Sequence, residues 1–161
     1  MESRKNNRLP EYDYSAPGAY FITVCTKDKQ CTLGTVVGGG ARDAPTVHLS
    51  EIGSIVKKYV QSTNRIQGIT VDKYVIMPNH IHLILLAAHA EGTSKAPSPT
   101  NALVPHTIST LKRFVHRDAG MQVFQRSYHD HVIRNEKDYL RIWQYIDENP
   151  AKWDEDKYYT L

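Results

Sequence analysis

Two histidines one residue apart, His80 and His82, interrupt an apolar run that extends from Val75 to Leu86. Val, Ile and Leu dominate the run, which is typical of a β-strand, and a strand directs residues two apart to the same face. Two neutral imidazoles placed side by side can hold one divalent cation. The spacing alone is weak evidence, because a pair of solvent-facing histidines on an edge strand explains it equally well.

A second His-x-His pair is formed by His129 and His131, with the acidic Asp130 between them. We interpret these side chains as structural or DNA-contacting groups that lie elsewhere.

A phenol and an amide, Tyr145 and Asn149, are spaced i and i+4 in the segment WQYIDENP and share one face of a predicted helix. A tyrosine set in line with a phosphodiester can act as its nucleophile, and an amide can complete a metal site. The alternative is that Tyr145 belongs to an apolar stripe with Ile142 and Ile146, and that Asn149 caps the helix before Pro150.

The elements that would position these residues alternate along the chain. Strands are predicted over residues 18–26, 69–77, 80–86 and 123–134, the first of them central, and residues 33–50 are predicted as a hairpin or an irregular excursion. Helices are predicted from a Ser50 cap to about 64, over 107–119 with Gly120 as the stop, and over 135–150 with Asn135 as the cap.

This order of elements predicts an α+β fold, a ferredoxin-like or RRM-like antiparallel sheet with the helices packed on one face. With 161 residues the chain is expected to form a single domain, 1–161. A flexible N-terminal arm of about 1–17 and a flexible Ala-, Pro- and Ser-rich loop of about 87–106 are predicted within it.

The composition favours a cytoplasmic protein. The 20 Lys and Arg residues against 17 Asp and Glu permit a nucleic-acid partner without requiring one. Cys25 and Cys31 are too few for a disulfide scaffold. The polar N-terminus lacks the apolar core of a signal peptide, and no apolar run approaches the length of a membrane span, so no membrane association is expected.

Three segments, GAYFITVCT, YVIMPNHIHLIL and FQRSYHDHVIRNEKDYLRIWQYIDENPAKW, resemble the REP-associated tyrosine transposases, which are HUH single-tyrosine transposases related to small insertion sequences. His80-Ile81-His82 fits the His-hydrophobic-His motif behind Met77-Pro78-Asn79, and residues 145–150 match the motif of Tyr-Ile followed by Asn-Pro. The resemblance spans nearly the whole chain.

The resemblance implies an HUH endonuclease fold and a mechanism. His80, His82 and Asn149 would be the metal ligands for Mg²⁺ or Mn²⁺, although imidazole ordinarily favours Mn²⁺ or Zn²⁺ over Mg²⁺. Tyr145 would be the catalytic nucleophile, cleaving single-stranded DNA at a hairpin through a 5′-phosphotyrosine intermediate. The protein would work as a monomer or as a homodimer, and the residues expected to contact DNA phosphates are Arg4, Lys5, Arg8, Lys112, Arg113, Arg117 and Arg126.

Two other classes of protein stay open from the sequence. A non-catalytic single-stranded nucleic-acid-binding module can share the same sheet, although it has no use for paired histidines. A metal-dependent hydrolase would use the histidines and attack with water instead of Tyr145.

Overall fold

The structure is a computed structural model that describes residues 18–88 and 103–160. The predicted arm 1–17 lies outside the described residues, as do most of the predicted loop 87–106 and three predicted DNA-binding residues, Arg4, Lys5 and Arg8.

The described residues form six strands and three α-helices. The strands are β1 (Gly18–Cys25), β2 (Gly34–Val37), β3 (Thr46–Leu49), β4 (Ile69–Ile76), β5 (His80–Ala87) and β6 (His129–Ile133). The helices are α1 (Glu51–Ser62), α2 (Leu103–Ala119) and α3 (Glu136–Glu148), the last followed by a 3₁₀ segment, Asn149–Glu155.

Four strands form one antiparallel sheet in the order β4-β5-β1-β6. β1 lies inside the sheet, as predicted, and fully buries Tyr20, Ile22 and Val24. β4 and β5 are joined by the short Pro78-Asn79 turn, in which the Met77 N–H donates to the His80 carbonyl at 2.8 Å. With α1 between β1 and β4 and α2 between β5 and β6, this order confirms the predicted α+β, ferredoxin-like architecture.

The helices cover both faces of the sheet. Alternation along β5 sends Ile81, Leu83 and Leu85 into the main core beneath α1 and α2. Ile84 points the other way and packs with buried side chains of α3. The prediction of helices on one face is therefore correct for α1 and α2 and wrong for α3, because the sheet has an apolar patch on each side and α3 covers the second one.

The caps of α1 and α3 agree with the sequence. Ser50 accepts a hydrogen bond from the Gly53 N–H at 3.0 Å, and Asn135 accepts one from the Asp138 N–H at 2.8 Å. Each polar side chain satisfies a backbone donor that the first turn of a helix leaves free.

α2 begins at Leu103, one turn before the predicted start and inside the segment predicted as flexible. Pro105 lies in its first turn, where a missing N–H costs no hydrogen bond, and Val104 is fully buried. The helix ends at Ala119, and Gly120 follows with a φ of 67°, the left-handed conformation that glycine adopts most easily.

β6 is shorter than the strand predicted over 123–134. Phe124 forms only an isolated bridge with Thr26, and the regular ladder begins at His129. The Lys112 ammonium group donates to the carbonyls of Gln125, Arg126 and Ser127, at 2.7, 3.0 and 3.1 Å. These carbonyls are occupied by a side chain instead of a neighbouring strand.

Residues 33–50, for which the sequence predicted either a hairpin or an irregular excursion, contain a hairpin. β2 and β3 pair with each other in a separate two-stranded antiparallel sheet. None of the helices within 18–88 and 103–160 is both long and apolar enough to cross a membrane.

Candidate functional site

His80 and His82 lie on the sheet face that α3 covers, next to one another on β5. Their ring centroids are 4.6 Å apart, and both side chains are buried. The shared face follows from strand alternation, as the sequence predicts. Their burial does not follow from strand alternation. It arises because β5 pairs with strands on both sides, so the two histidines are not the solvent-facing pair of an edge strand.

Each imidazole uses one ring nitrogen within the protein. Nδ1 of His80 lies 2.8 Å from Oδ1 of Asn79, and Nδ1 of His82 lies 2.8 Å from the Thr23 hydroxyl. The Nε2 atoms are buried and have no hydrogen-bond partner among the residues that the structure describes. Such a buried polar atom is costly, and a bound cation is one way to satisfy it.

The carboxylate of Asp156 lies near these two Nε2 atoms. Its side chain is 1% exposed, and Oδ2 lies 3.8 Å from Nε2 of His80. One ligand atom from each of His80, His82 and Asp156 lies within 4.8 Å of the other two. Ligands of one ion, bonded at about 2.1 Å, lie about 3–4 Å apart, so the three groups fit a divalent cation after a small contraction.

The sequence analysis missed Asp156. The only signal was an acidic run after Pro150, residues 154–156, which is common on solvated surfaces. The 3₁₀ segment ends at Glu155, and Asp156 is extended and accepts a hydrogen bond from the Tyr158 N–H at 2.8 Å. This local turn fixes the carboxylate toward the histidines.

Asn149, the ligand predicted from the motif, lies beside the cluster. It is 2% exposed and donates its amide N–H to Oδ2 of Asp156 at 2.8 Å. Its Oδ1 atom is buried without a hydrogen-bond partner among the described residues. Asn149 therefore orients the carboxylate and also has a free oxygen close to the site.

Burial keeps the histidines neutral. Desolvation lowers the pKa of His80 to about 4, against the opposing charge of Asp156. Desolvation also holds the pKa of His82 well below its usual range, and the proximity of His80, which disfavours protonation of both rings, and the charge of Lys157 lower it further. Neutral imidazole is the form that binds metal ions.

α3 brings Tyr145 to the same face. Its ring centroid lies 5.3 Å from that of His82 and 6.1 Å, edge-on, from that of Phe21. The side chain is 38% exposed and borders a cavity of about 500 Å³ that Asn149, Asp156 and Lys157 also line. Burial, followed by the charge of Asp156, raises the pKa of the Tyr145 phenol, so the hydroxyl is protonated at neutral pH.

Two further tyrosines, Tyr139 and Tyr128, lie apart from the cluster. The Tyr139 hydroxyl donates to the side chain of Asp72, which lies in β4. The Tyr128 ring lies 5.7 Å below the Lys112 ammonium group, on the side of α2. Tyr158, which the sequence did not single out, is closer: its ring centroid is 4.7 Å from that of His80, and burial raises its pKa to about 12.

His129 and His131 were predicted to lie elsewhere, but they share the sheet face of His82. Thr23 on β1 pairs with both His82 and His129, and residues that pair across strands point to the same side. The pair is nevertheless exposed and separated from the cluster by β1, and Nε2 of His131 lies 2.7 Å from an Asp138 carboxylate oxygen.

The predicted DNA-binding residues of the described chain fall into two groups. Lys112, Arg113 and Arg126 line a second cavity, of about 590 Å³, between α2 and the segment before β6. Arg117 lies outside it, where its guanidinium donates to Asp118 and Tyr59 at 3.0 Å each. The Lys112 ammonium group already donates to three carbonyls. Of the three cations that line this cavity, Arg113 and Arg126 are therefore the ones that can bind an external anion.

Known proteins resemble this chain in sequence and in structure. No family model matches it. An uncharacterised protein of Haemophilus influenzae is 33% identical over 177 aligned residues, which cover 99% of this chain and 95% of that protein. A solved REP-associated tyrosine transposase bound to a REP hairpin superposes with a TM-score of 0.59 at 20% identity, over 89% of this chain and 74% of that one.

The resemblance that the sequence motifs suggested is therefore confirmed at the level of the fold. The chain belongs to the same family as the Haemophilus influenzae protein, and its architecture is that of a REP-associated tyrosine transposase.

Proposed function

We propose that this chain is a metal-dependent endonuclease and strand transferase that acts on single-stranded DNA through a covalent intermediate at Tyr145. One observation above all supports the proposal: two buried, unpartnered imidazole nitrogens of the described chain lie on the sheet face that also receives the Tyr145 ring. A nucleophile beside a cation site is an arrangement suited to phosphoryl transfer to a side chain, because the cation can stabilise the charge that develops on the phosphate.

His80, His82 and an oxygen of Asp156 or Asn149 would hold the divalent cation, Mg²⁺ or Mn²⁺. When bound, the ion would polarise the scissile phosphate and neutralise part of its developing charge. The donor set of two imidazoles with oxygen ligands suits Mn²⁺ better than Mg²⁺.

Tyr145 would attack phosphorus. The phenol oxygen forms a bond with phosphorus while the bond from phosphorus to the 3′ oxygen breaks, which leaves a 5′-phosphotyrosine and a 3′-hydroxyl. The proton that the phenol loses balances the proton that the 3′ oxygen gains. Attack by a 3′-hydroxyl on the phosphotyrosine reverses the step and joins DNA ends without an added energy source.

The cavity beside Tyr145 offers three cations, Arg141, Lys152 and Lys157, to a phosphate backbone, and three carboxylates, those of Glu148, Glu155 and Asp156, line it as well. Lys157 lines the cavity beside Tyr145, and its positive charge contributes to the lowered pKa of both histidines. Arg113 and Arg126 line the second cavity and would bind phosphates farther along the DNA. A hairpin is the proposed DNA form, since the transposase that shares this fold is bound to a REP hairpin.

We also propose that the protein acts in the cytoplasm and consists of a single domain. His80, His82, Tyr145 and Asp156 approach one another within one chain, which favours catalysis by a monomer over a dimer with exchanged tyrosine helices.

The test is incubation of the protein with a single-stranded hairpin oligonucleotide and Mn²⁺, followed by denaturing electrophoresis. The wild-type chain should form a covalent protein–DNA adduct, and Tyr145→Phe should form none. Tyr139→Phe is the matched control and should still form the adduct. It removes a hydroxyl group from another tyrosine of α3, one that lies outside the cluster. Cleavage that persists in Tyr145→Phe without any adduct would indicate a hydrolase, and binding without cleavage in the wild type would indicate a binding module.

A further inference from the structure

Asn79 lies in the turn between β4 and β5 and is 1% exposed. Its backbone carbonyl accepts hydrogen bonds from the N–H and the hydroxyl of Thr26, at 2.9 and 3.1 Å. The backbone of the turn is thereby fixed against the end of β1. The side-chain amide of Asn79 is therefore attached to a backbone that hydrogen bonds hold in place, one residue before His80.

The orientation of this amide follows from its neighbours. The amide nitrogen lies 2.7 Å from the Tyr158 carbonyl oxygen and 3.3 Å from the Lys29 carbonyl oxygen. Both oxygens can only accept, so the NH₂ group must face them. The reversed amide would bring its own oxygen against two carbonyl oxygens. Oδ1 therefore faces His80.

This orientation selects one tautomer of His80. Oδ1 of Asn79 has no proton to give, so the 2.8 Å contact exists only when Nδ1 of His80 carries the proton and donates it. In a neutral imidazole, Nε2 is then the unprotonated nitrogen. That nitrogen is the one 3.8 Å from Asp156.

Thr23, the partner of His82, does not select a tautomer. Nδ1 of His82 lies 2.8 Å from the Thr23 hydroxyl, which can donate or accept. Thr23 alone therefore permits either tautomer, whereas Asn79 permits one.

We propose that Asn79 is a positioning residue that locks His80 in its Nδ1–H tautomer and so presents the Nε2 lone pair to a divalent cation. The inference rests on the proposed function only in that it takes the His80, His82 and Asp156 cluster as a cation site. Partners of this kind typically change metal affinity about 10–100-fold when they are lost.

The first measurement is the tautomer of His80 in the metal-free protein, from the ¹⁵N chemical shifts of the imidazoles, with the His80 signals identified by their absence in His80→Gln. The wild-type chain should show a protonated Nδ1 and an unprotonated Nε2. Asn79→Leu, which has a similar volume and no hydrogen-bonding group, should shift His80 toward the Nε2–H form. A wild-type His80 protonated at Nε2 would overturn the proposal whether or not any variant folds.

The second measurement is Mn²⁺ affinity by calorimetry, without DNA. Asn79→Leu should bind Mn²⁺ at least about 10-fold more weakly than the wild type. The control is Thr160→Val, which removes the hydroxyl 3.2 Å from the Asn79 amide nitrogen without touching His80, and it should bind Mn²⁺ as the wild type does.

Two affinity results would overturn the inference: unchanged affinity in Asn79→Leu, or a comparable loss in Asn79→Leu and Thr160→Val. The second would mean that Asn79 acts by holding residues 158–160. A wild-type chain that binds no Mn²⁺ would overturn this inference and the proposed function together. A chain that binds Mn²⁺ with this dependence on Asn79 and yet forms no DNA adduct would overturn the proposed function alone.

Discussion

Asn149 donates its side-chain amide to Asp156 at 2.8 Å, and this hydrogen bond ties the end of α3 to the extended segment that follows it. Tyr145 lies one helical turn before Asn149, so the proposed nucleophile and the carboxylate of the cluster are linked through one residue. A movement of α3 would therefore change the position of the phenol and of Asp156 together.

The third ligand can be identified by comparing Asp156→Asn with Asn149→Ala. We expect Asp156→Asn, which removes a charge at constant shape, to weaken Mn²⁺ binding about 10-fold or more, and Asn149→Ala to weaken it less, because Asn149 acts mainly on the orientation of the carboxylate. Calorimetry measures both. The opposite ranking would assign the ligand role to Asn149, as the motif predicts.

His80→Ala should abolish DNA cleavage while changing the affinity for a hairpin oligonucleotide by less than about threefold, because the imidazole serves the chemical step and phosphate contacts supply most of the affinity. Cleavage assays and fluorescence anisotropy separate the two effects. His48→Ala, an exposed histidine of β3, should behave as the wild type. A parallel loss of binding and cleavage in His80→Ala would argue for a DNA-contacting or structural histidine.

Lys112→Met should lower the free energy of unfolding by about 2 kcal/mol, since three part-buried carbonyls lose a charged donor and a hydrogen bond to a charged group contributes about 1.5–3 kcal/mol. Urea unfolding measures the change. Arg113→Met, a variant of the neighbouring exposed cation, is the control and should stay within about 0.5 kcal/mol of the wild type. A stable Lys112→Met protein with weakened DNA binding would restore the prediction that Lys112 contacts phosphate.

Arg113→Ala combined with Arg126→Ala should weaken hairpin binding and reduce the slope of log K against log salt concentration by about 1.4–1.8, because each lost phosphate contact removes about 0.7–0.9 from the slope. Arg117→Ala should leave the slope nearly unchanged, since its guanidinium is held by Asp118 and Tyr59. Anisotropy titrations at several salt concentrations give the slopes. An equal effect of Arg117→Ala would mean that DNA binds along the outer face of α2.

The stability of the protein should fall as the pH drops below about 6.5, in part because of His116. Nε2 of His116 accepts a hydrogen bond from the Phe124 N–H at 3.1 Å, and desolvation lowers the pKa of the ring. The unfolded chain therefore takes up the proton first, and the free energy of unfolding decreases as the pH falls through the ordinary histidine range. His116→Gln retains an acceptor that does not titrate, and its stability should depend less steeply on pH in urea unfolding between pH 7.5 and 5.5. An unchanged slope would show that His116 takes up its proton equally in the folded and the unfolded protein.

The periodicities of the sequence were sufficient to predict most of the elements and the α+β plan. Short apolar runs predicted β1, β4 and β5, and the caps Ser50 and Asn135 predicted the starts of two helices, because these signals act within a few residues of the chain. The common face of His80 and His82 followed in the same way from strand alternation alone.

Only the tertiary structure decided what surrounds those side chains. That β5 is flanked on both sides, and its histidines therefore buried, depends on pairing with β1 from a distant part of the chain. That α3 lies on the opposite face from α1 and α2 depends on which apolar patch remained uncovered. Asp156 reaches the cluster through a turn far along the chain, and the Asn79 amide, although Asn79 directly precedes His80, is oriented by the carbonyl of Tyr158, 79 residues away. No local pattern of the sequence predicts either contact. Local propensities determine the direction of a side chain, whereas its neighbours depend on long-range packing that a single sequence does not display.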